Sequence, residues 1–301
     1  MRIAITGATG LIGGALADDL VGGGHEVVRV TRSRGRAGPG DVVWDPDGGT
    51  IDAAGLEGLD GVVHLAGEPI GASRWTDATK RRIRDSRTQG TDLLARTLAG
   101  LDTPPAVLVS GSAVGVYGDR GDEVLTEASA PGDDFLARVC RDWEAAADPA
   151  RSAGIRVVHP RTGVVIAQDG PLIDKIELPF KLGIGGKVGN GRQYVPWISL
   201  VDEVRALRFL LEGDLDGAVN LTAPEPVTNA ELTKALGDVM RRPTVLPIPT
   251  FAVTALYGEM GRTLATSSQR AVPARLVEAG FTFEHADLRA ALTVALRQPA
   301  A

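Results

Sequence analysis

The sequence predicts an α/β fold, in which a doubly wound parallel sheet carries helices on both faces and is followed by a small, mostly helical C-terminal lobe. Two observations predict it. A β-rich apolar run, a glycine turn, a helical pattern and a second β-rich run follow one another within residues 1–31. This alternation continues to about Val165 and breaks where glycine and proline become frequent, over residues 170–196. Such alternation is typical of parallel sheets, because each right-handed crossover places its two strands side by side.

The apolar patterns give the order of the elements. Strands are predicted over residues 2–6, 26–31, 61–66, 106–110, 155–159 and 218–221. Helices are predicted around residues 11–20, ending at the glycines 22–24, and over residues 76–99, 135–147, 202–212, 229–240 and 288–296. We expect residues 1–165, completed by about 198–222, to form the sheet domain, and residues 166–197 and 223–301 to form a smaller substrate-binding lobe.

The composition predicts a soluble globular protein without a metal site. The 301 residues include 32 Lys and Arg against 38 Asp and Glu, a net charge of −6. This mild acidity argues against nucleic acid or an anionic membrane as a partner. The single cysteine, Cys140, cannot form an internal disulfide, and the four histidines lack the spacing of metal ligands. No signal segment precedes the first strand, so we expect a cytoplasmic location.

Three glycines stand in the run GATGLIG, residues 7–13, between the first strand and the first helix. Because the chain has 38 glycines, their spacing alone is weak, and the strand–turn–helix context carries the prediction. Gly7 would permit the tight turn, Gly10 the approach of a pyrophosphate, and Gly13 close packing of helix on strand. The turn also contains Thr9, Leu11 and Ile12. We predict a dinucleotide site here; the alternative is a glycine-rich turn without a ligand.

The end of the second strand favours NADP(H) over NAD(H). An NAD-preferring site places an acidic residue there, which accepts a hydrogen bond from the ribose 2′-hydroxyl. The sequence instead reads Thr31-Arg32, and a guanidinium is suited to a 2′-phosphate. The alternative is a solvated surface arginine, which is the favoured interpretation for Arg34 and Arg36.

The third strand runs into Leu65, Ala66, Gly67 and Glu68. Small residues at a strand end let the backbone contact the adenosine and ribose of a cofactor, although buried strands often end at glycine without any ligand. We assign all four to the predicted cofactor site.

Several segments together resemble the extended short-chain dehydrogenase/reductase superfamily: TGATGLIG, HLAGE, SGSAVGVYG at 110–118 and ISLVD at 198–202. Others, including RWTDATKRRIRDSR, RDWEAAA, PRTGVVI and SQRAVPARLVEAGFTF, narrow the resemblance to its epimerase family proteins of the NAD-dependent epimerase/dehydratase type. The resemblance covers essentially the whole chain, including the family's C-terminal helical segment. It implies a Rossmann-type fold, bound NADP(H), and cofactor contacts from Ser110, Arg161 and Val165.

The chain departs from this superfamily at its acid/base residues. Extended members usually carry a Tyr-xxx-Lys pair on the helix after the VYG turn, where the lysine lowers the pKa of the tyrosine. Here that helix reads GDDFLARVCRDWE, and its two registers give Phe135 with Val139 and Leu136 with Cys140. A side chain without a titratable proton cannot act as the general acid. Cys140 is expected to be a small core residue.

Two hydroxyls remain near the expected site. The usual Ser/Thr position of the superfamily falls on Ala113, with Ser112 beside it and Tyr117 in the following turn. Ser112 and Tyr117 are therefore the candidate catalytic residues. The alternative for each is a structural turn residue.

Arg87 stands where extended members carry the asparagine of an NxxGT helix segment that faces the cofactor. Its side chain would point at the phosphates or an anionic substrate, or would form a surface ion pair. Trp75, Trp143 and Trp197 are expected to pack in the core. The glycine-rich stretch 183–195 is predicted to be the mobile edge of a substrate cleft, and the alternative is an exposed loop that needs glycine only for its turns.

These patterns leave two functions open. The first is an NADP(H)-dependent oxidoreductase or epimerase acting on an unidentified small, anionic molecule. The second is an NADP(H)-binding sensor or regulatory protein that has lost catalysis together with the Tyr-xxx-Lys pair. Pairing of the two long helices in a homodimer is a further expectation, by analogy with the fold.

Overall fold

The computed structural model of the chain describes residues 1–32, 35 and 37–296. Its strands are β1 (Arg2–Thr6), β2 (Glu26–Thr31), β3 (Val42–Asp45), β4 (Thr50–Ile51), β5 (Gly61–His64), β6 (Val107–Ser110), β7 (Ser112–Ala113), β8 (Val124–Leu125), β9 (Arg156–Thr162), β10 (Val164–Ile166), β11 (Tyr194–Val195), β12 (Trp197–Ser199), β13 (Gly217–Leu221), β14 (Val227–Thr228) and β15 (Arg270–Ala271). Its α-helices are α1 (Leu11–Gly22), α2 (Asp77–Ala99), α3 (Phe135–Ala145), α4 (Asp148–Ser152), α5 (Pro171–Lys181), α6 (Leu200–Glu212), α7 (Asn229–Met240), α8 (Thr250–Thr266), α9 (Ala274–Glu278) and α10 (Leu288–Leu296). Arg34, Arg36 and the last part of the predicted lobe, residues 297–301, lie outside the described residues.

The central sheet has the strand order β13-β9-β6-β5-β1-β2-β3-β4, and β7 also pairs with β9. Every pair in this order is parallel except the short β3–β4 pair. The predicted α/β class and parallel sheet are confirmed. Because β2 and β5 lie on opposite sides of β1, the order reverses at β1, and such a reversal opens a crevice at the carboxyl ends of the strands.

Helices cover both faces of the sheet. On one face, α1 and α6 bury leucine side chains against β1, β6 and β9. Four of these leucines have no exposed surface, namely Leu16, Leu20, Leu207 and Leu210. On the other face, α2 packs Leu94 and Leu98 against β5 and β6. A third apolar cluster, formed by α5, α7 and α10 around Trp197, lies outside the sheet. Burying such a side chain contributes about 1.5–3 kcal/mol, so both faces hold the sheet in place.

The alternation of strand and helix is interrupted after β2, which the sequence prediction missed. Among the described residues between β2 and β5 there are β3, β4 and a 3-10 turn, Ala53–Leu56, in place of an α-helix. The local sequence explains this difference. Val42 and Trp44 are both buried, whereas Val43 between them is half-buried and Asp45 is exposed, as in a strand with one face on the core. Gly49, with φ of 67°, then closes the antiparallel turn to β4.

Helix α5 lies in the stretch rich in glycine and proline, for which the sequence patterns predicted no helix. Pro171 occupies its first turn, where a missing N–H costs nothing. Ile173 and Phe180 are buried on one side of it, and this apolar face stabilises the helix despite Pro179.

No helix in the described part of the chain is both long and apolar enough to cross a membrane.

Candidate functional site

The turn between β1 and α1 is defined by its backbone. Gly7 has a φ of 71°, and the N–H of Gly10 donates to the Gly7 carbonyl at 2.9 Å. A Cβ at Gly13 would lie 2.3 Å from that same carbonyl oxygen, so no side chain fits there. Gly10 caps α1 without a side-chain hydrogen bond, and the first turn contains no acidic residue. The free N–H groups of this helix start can therefore receive an anion.

A cavity of about 460 Å³ opens at this turn. The predicted cofactor residues on its wall are Gly7, Thr9, Gly10, Thr31, Arg32, Leu65, Ala66, Gly67 and Glu68. The other predicted residues, which lie outside that lining, are Leu11, Ile12, Gly13, Arg87, Ser110, Arg161 and Val165. The wall also includes residues that the sequence prediction missed, namely Ala8, Arg29, Val30, Asp41, Trp44, Pro46, Asp47, Pro69 and Ser86. The β3 segment supplies several of them, because β3 pairs with β2.

Thr6 fixes the strand end that forms one side of the cavity. Its hydroxyl accepts hydrogen bonds from the N–H groups of Leu65 and Ala66, both at 3.1 Å, and lies 2.7 Å from Nδ1 of His64. Since the oxygen already accepts two hydrogen bonds, we assign its proton to the bond with His64 Nδ1. His64 has no exposed surface, and burial lowers its pKa to about 4, so the ring is neutral. The strand end is thus held by hydrogen bonds to one buried hydroxyl, and the histidine beside it carries no charge.

Arg87 is half-buried and forms neither of the arrangements expected from sequence. Its NH1 group donates to the carbonyls of Glu68 and Ile83, at 2.9 and 3.1 Å. The guanidinium carbon lies 5.0 Å from the ring centre of Trp143. Burial lowers its pKa, but an arginine remains charged well above neutral pH. Arg87 therefore fastens the loop at Glu68 to α2, with its charge beneath the cavity.

Further along the same sheet edge, the two candidate catalytic hydroxyls belong to a hydrogen-bonded network. The Ser112 hydroxyl donates to Glu144 at 2.6 Å. Arg161 donates to both oxygens of Glu144, at 2.9 and 3.0 Å, and to the Tyr117 hydroxyl at 3.0 Å. Tyr117 in turn donates to the side-chain oxygen of Asn220 at 2.7 Å.

This network leaves neither hydroxyl free for catalysis in the observed arrangement. Tyr117 has no exposed surface, and burial raises its pKa. Burial also opposes ionisation of Glu144, but the hydrogen bonds from Arg161 and Ser112 outweigh it and hold its pKa below the usual value. Both hydroxyl protons are thus committed to acceptors within the protein. The geometry favours the structural interpretation of Ser112 and Tyr117, and it places Arg161 in an ion pair away from the cavity lining.

The positions of the missing Tyr-xxx-Lys pair are filled by an apolar cluster. Phe135 packs edge-on against Trp75, with ring centres 5.1 Å apart. Val139 and Met260 are buried in the same cluster. Cys140 is also buried, in the neighbouring cluster around Tyr117, and burial raises its pKa to about 12. The predictions of a core cysteine and of core positions for Trp75, Trp143 and Trp197 are confirmed.

A second cavity, of about 870 Å³, lies between the glycine-rich loop and α8. Its lining consists of Gly121, Asp122, Val188, Gly189, Asn190, Arg192, Gln193, Tyr194, Thr228, Thr250, Arg262, Thr266 and Ser268. Arg192 and Arg262 are exposed. The loop is anchored by backbone hydrogen bonds between Gly189 and Ile248 at 2.9 Å and between Ile248 and Lys187 at 2.8 Å. Arg192 of this loop and Arg262 of α8 therefore line a cavity that has one wall anchored by backbone hydrogen bonds.

Comparison with known proteins places these features in a family. The model of the NAD dependent epimerase/dehydratase family matches residues 3–221, and that of a domain of unknown function, DUF1731, matches residues 248–295. An epimerase family protein of Mycobacterium tuberculosis is 44% identical over 298 residues, which cover 99% of this chain and 98% of that protein. The human epimerase family protein SDR39U1 is 35% identical over 297 residues, covering 97% of this chain and 98% of that protein.

Solved structures agree with this placement. Human epimerase family protein SDR39U1 (isoform 2), solved with NADPH, superposes with a TM-score of 0.89 at 34% identity, covering 98% of this chain and 99% of that one. The UDP-glucose 4-epimerase of Thermotoga maritima, solved with UDP-glucose, has a TM-score of 0.77 at 17% identity, covering 98% and 97% of the two chains, and shows a shared fold alone. The Rossmann-like fold implied by the sequence resemblance is confirmed. The chain belongs to the NAD-dependent epimerase/dehydratase family of extended short-chain dehydrogenases/reductases.

Proposed function

We propose that this chain is an NADP(H)-dependent oxidoreductase or epimerase that acts on a small anionic molecule. The observation that carries the proposal is the glycine turn, which leaves no room for a side chain at Gly13 and opens into a cavity with Arg32 on its wall. The human relative solved with NADPH supports the choice of cofactor.

The residues at this turn fit a dinucleotide. The start of α1 would hold the pyrophosphate, and Arg32 the 2′-phosphate, through charge-assisted hydrogen bonds. Leu65–Glu68 would lie along the adenosine ribose. The Ser110 hydroxyl, buried at the end of β6 without a hydrogen-bond partner among the described residues, would serve the nicotinamide half, as would Val165. The cofactor supplies a hydride when bound, and the chain binds and orients it.

The second cavity supports the substrate class. Arg192 and Arg262 give it positive charge, and Asn190 and Gln193 add neutral donors. We assign it to a substrate lobe made of residues 166–197 and 223–301.

A homodimer that pairs α2 and α3 of the two copies is a further part of the proposal. Its interface would be polar, since the exposed positions of these helices include Arg81, Arg82, Arg138 and Arg141.

A second candidate function is an NADP(H)-binding sensor or regulatory protein. The observation that favours it is the apolar cluster at Phe135 and Val139, because neither side chain there can donate or accept a proton. An enzyme with this site would have to take its proton from water or from the substrate.

One experiment separates the two functions. NADPH binding to the full chain is measured by titration calorimetry, and NADPH oxidation is then followed with a panel of anionic carbonyl compounds and sugar nucleotides. Turnover with one compound class would support the enzyme. Tight binding without turnover across the panel would support the sensor, and absence of NADPH binding would refute both.

A further inference from the structure

We propose that Arg29 and Asp41 form a pair that decides which dinucleotide the cavity accepts. Arg29 acts as a second cation for the 2′-phosphate, and Asp41 holds it in place. This inference rests on the proposed NADP(H) site and names the residues that give it specificity beyond Arg32.

Arg29 reaches the cavity from β2. It lies two residues before Thr31 and therefore on the same face of the strand. Arg29, Thr31 and Arg32 all line the cavity. The Nε atom of Arg29 donates to Asp41 Oδ1 at 3.3 Å, which leaves its two terminal nitrogens without a hydrogen bond to any described residue. About half of the side chain, 54%, is exposed, so a ligand can reach those nitrogens.

Asp41 is a fixed carboxylate on the same wall. Its side chain is only 8% exposed, and its Oδ2 atom accepts a hydrogen bond from the Gly38 N–H at 2.8 Å. The Asp41 N–H donates to the Gly38 carbonyl at 3.1 Å, which closes the turn before β3. The carboxylate is thus held from two sides and cannot turn away from the cavity without breaking this turn.

The charges of the pair have opposite effects on the two cofactors. A free carboxylate beside the ribose accepts a hydrogen bond from the 2′-hydroxyl of NAD(H) and repels the 2′-phosphate of NADP(H). Arg29 removes this preference, because it neutralises Asp41 and still has two terminal NH2 groups that can donate to a ligand in the cavity that it lines. Although the end of β2 carries no acidic residue, the fold supplies one from the segment before β3, and Arg29 masks it.

The test uses the full chain and titration calorimetry with NADPH and NADH. Arg29→Ala should weaken NADPH binding about tenfold or more, as expected for a lost charge-assisted contact, and should strengthen NADH binding by unmasking Asp41. In the double variant Arg29→Ala/Asp41→Asn, the gain in NADH affinity should disappear. Arg96→Ala is the matched control, since Arg96 is an exposed arginine bonded to Asp92 on α2, outside the cavity.

The outcomes separate this inference from the proposed function. Unchanged NADPH affinity in Arg29→Ala, or a gain in NADH affinity that persists in the double variant, would overturn the pair while leaving the NADP(H) site intact. If the unmodified chain bound neither dinucleotide, the proposed function would be wrong and the inference would be refuted with it.

Discussion

The two ends of the same sheet edge differ in what shapes them, which is the backbone beside β1 and side chains beside β9. Beside β1, the site consists of backbone: a left-handed glycine, a helix start without a side-chain cap, and a strand end held by one hydroxyl. Beside β9, it consists of side chains that come from distant segments and satisfy one another, as Glu144 and Arg161 do. The turn that would receive a pyrophosphate is therefore defined by local backbone geometry. Proton transfer needs a titratable side chain within reach of the substrate, and at the positions of the Tyr-xxx-Lys pair this chain has apolar side chains.

The largest expected effect concerns the β9 side. Arg161→Ala should lower the free energy of unfolding by about 3–5 kcal/mol, because it leaves the Glu144 carboxylate enclosed without its partner. Urea unfolding followed by circular dichroism measures this. The control is Arg96→Ala, which breaks an exposed pair with Asp92 and should cost at most about 1 kcal/mol. Equal costs for the two variants would show that the Glu144–Arg161 pair behaves like a surface pair.

On the β1 side, Gly13→Ala should lower NADPH affinity about a hundredfold, which corresponds to about 2.7 kcal/mol. The added Cβ meets the Gly7 carbonyl and displaces the turn that we propose receives the pyrophosphate. Gly22→Ala, at the other end of α1, is the matched control, since a Cβ there meets nothing within 4 Å. Titration calorimetry compares them, with thermal melting to confirm folding. A Gly13→Ala variant that binds NADPH as the parent does would contradict the backbone-defined site.

A third expected effect is a dependence of folding stability on pH, which comes from the buried Glu203. This glutamate on α6 has no exposed surface, accepts a hydrogen bond from Thr162 at 2.7 Å, and has a second oxygen without a partner among the described residues. Burial raises its pKa to about 8 from the ordinary value of 4.5. The folded state therefore binds one more proton than the unfolded state between about pH 4.5 and 8, so stability falls as pH rises through this window.

Glu203→Gln removes this titration, and the variant should be nearly equal in stability to the parent at pH 4 and more stable than it by about 2 kcal/mol at pH 6. Urea unfolding across this pH range measures the difference. Glu278→Gln, at an exposed glutamate, serves as the control and should follow the parent. A Glu203→Gln variant that parallels the parent at every pH would show that Glu203 is ionised in the folded protein.

The smallest effect is expected at Cys140. Since burial raises the pKa of this thiol to about 12 and the thiolate is the reactive form, native protein at pH 8 should react with a thiol reagent only as fast as it opens. Cys140→Ala should leave NADPH affinity unchanged. The labelling rate is compared with that of free cysteine, and a similar rate for the native protein would place the thiol in an accessible, reactive setting.

The features that could be predicted from the sequence are those that depend on residues close together along the chain. The strand 2–6, the turn at Gly7–Gly13 and the strand 26–31 follow from consecutive residues, and the structure has both strands at these bounds. The role of Tyr117 could not be predicted in this way, because its partner Asn220 lies 103 residues further along the chain. Asp41 was missed for the same reason, since only the pairing of β2 with β3 brings it to the cavity. Patterns within one segment do not contain contacts between segments.

The bonds at Thr6 also set how the cavity wall moves. The N–H groups of Leu65 and Ala66 both end on one hydroxyl that lies beneath the sheet surface. The Leu65 N–H also donates to the Thr6 carbonyl at 3.3 Å, so exchange of either amide hydrogen with solvent requires the chain at the end of β5 to separate from β1. Deuterium uptake at these two amides should therefore be slow even without cofactor. The wall of the proposed cofactor site is thus held in place before a ligand arrives, so ordering it on binding would cost little conformational entropy.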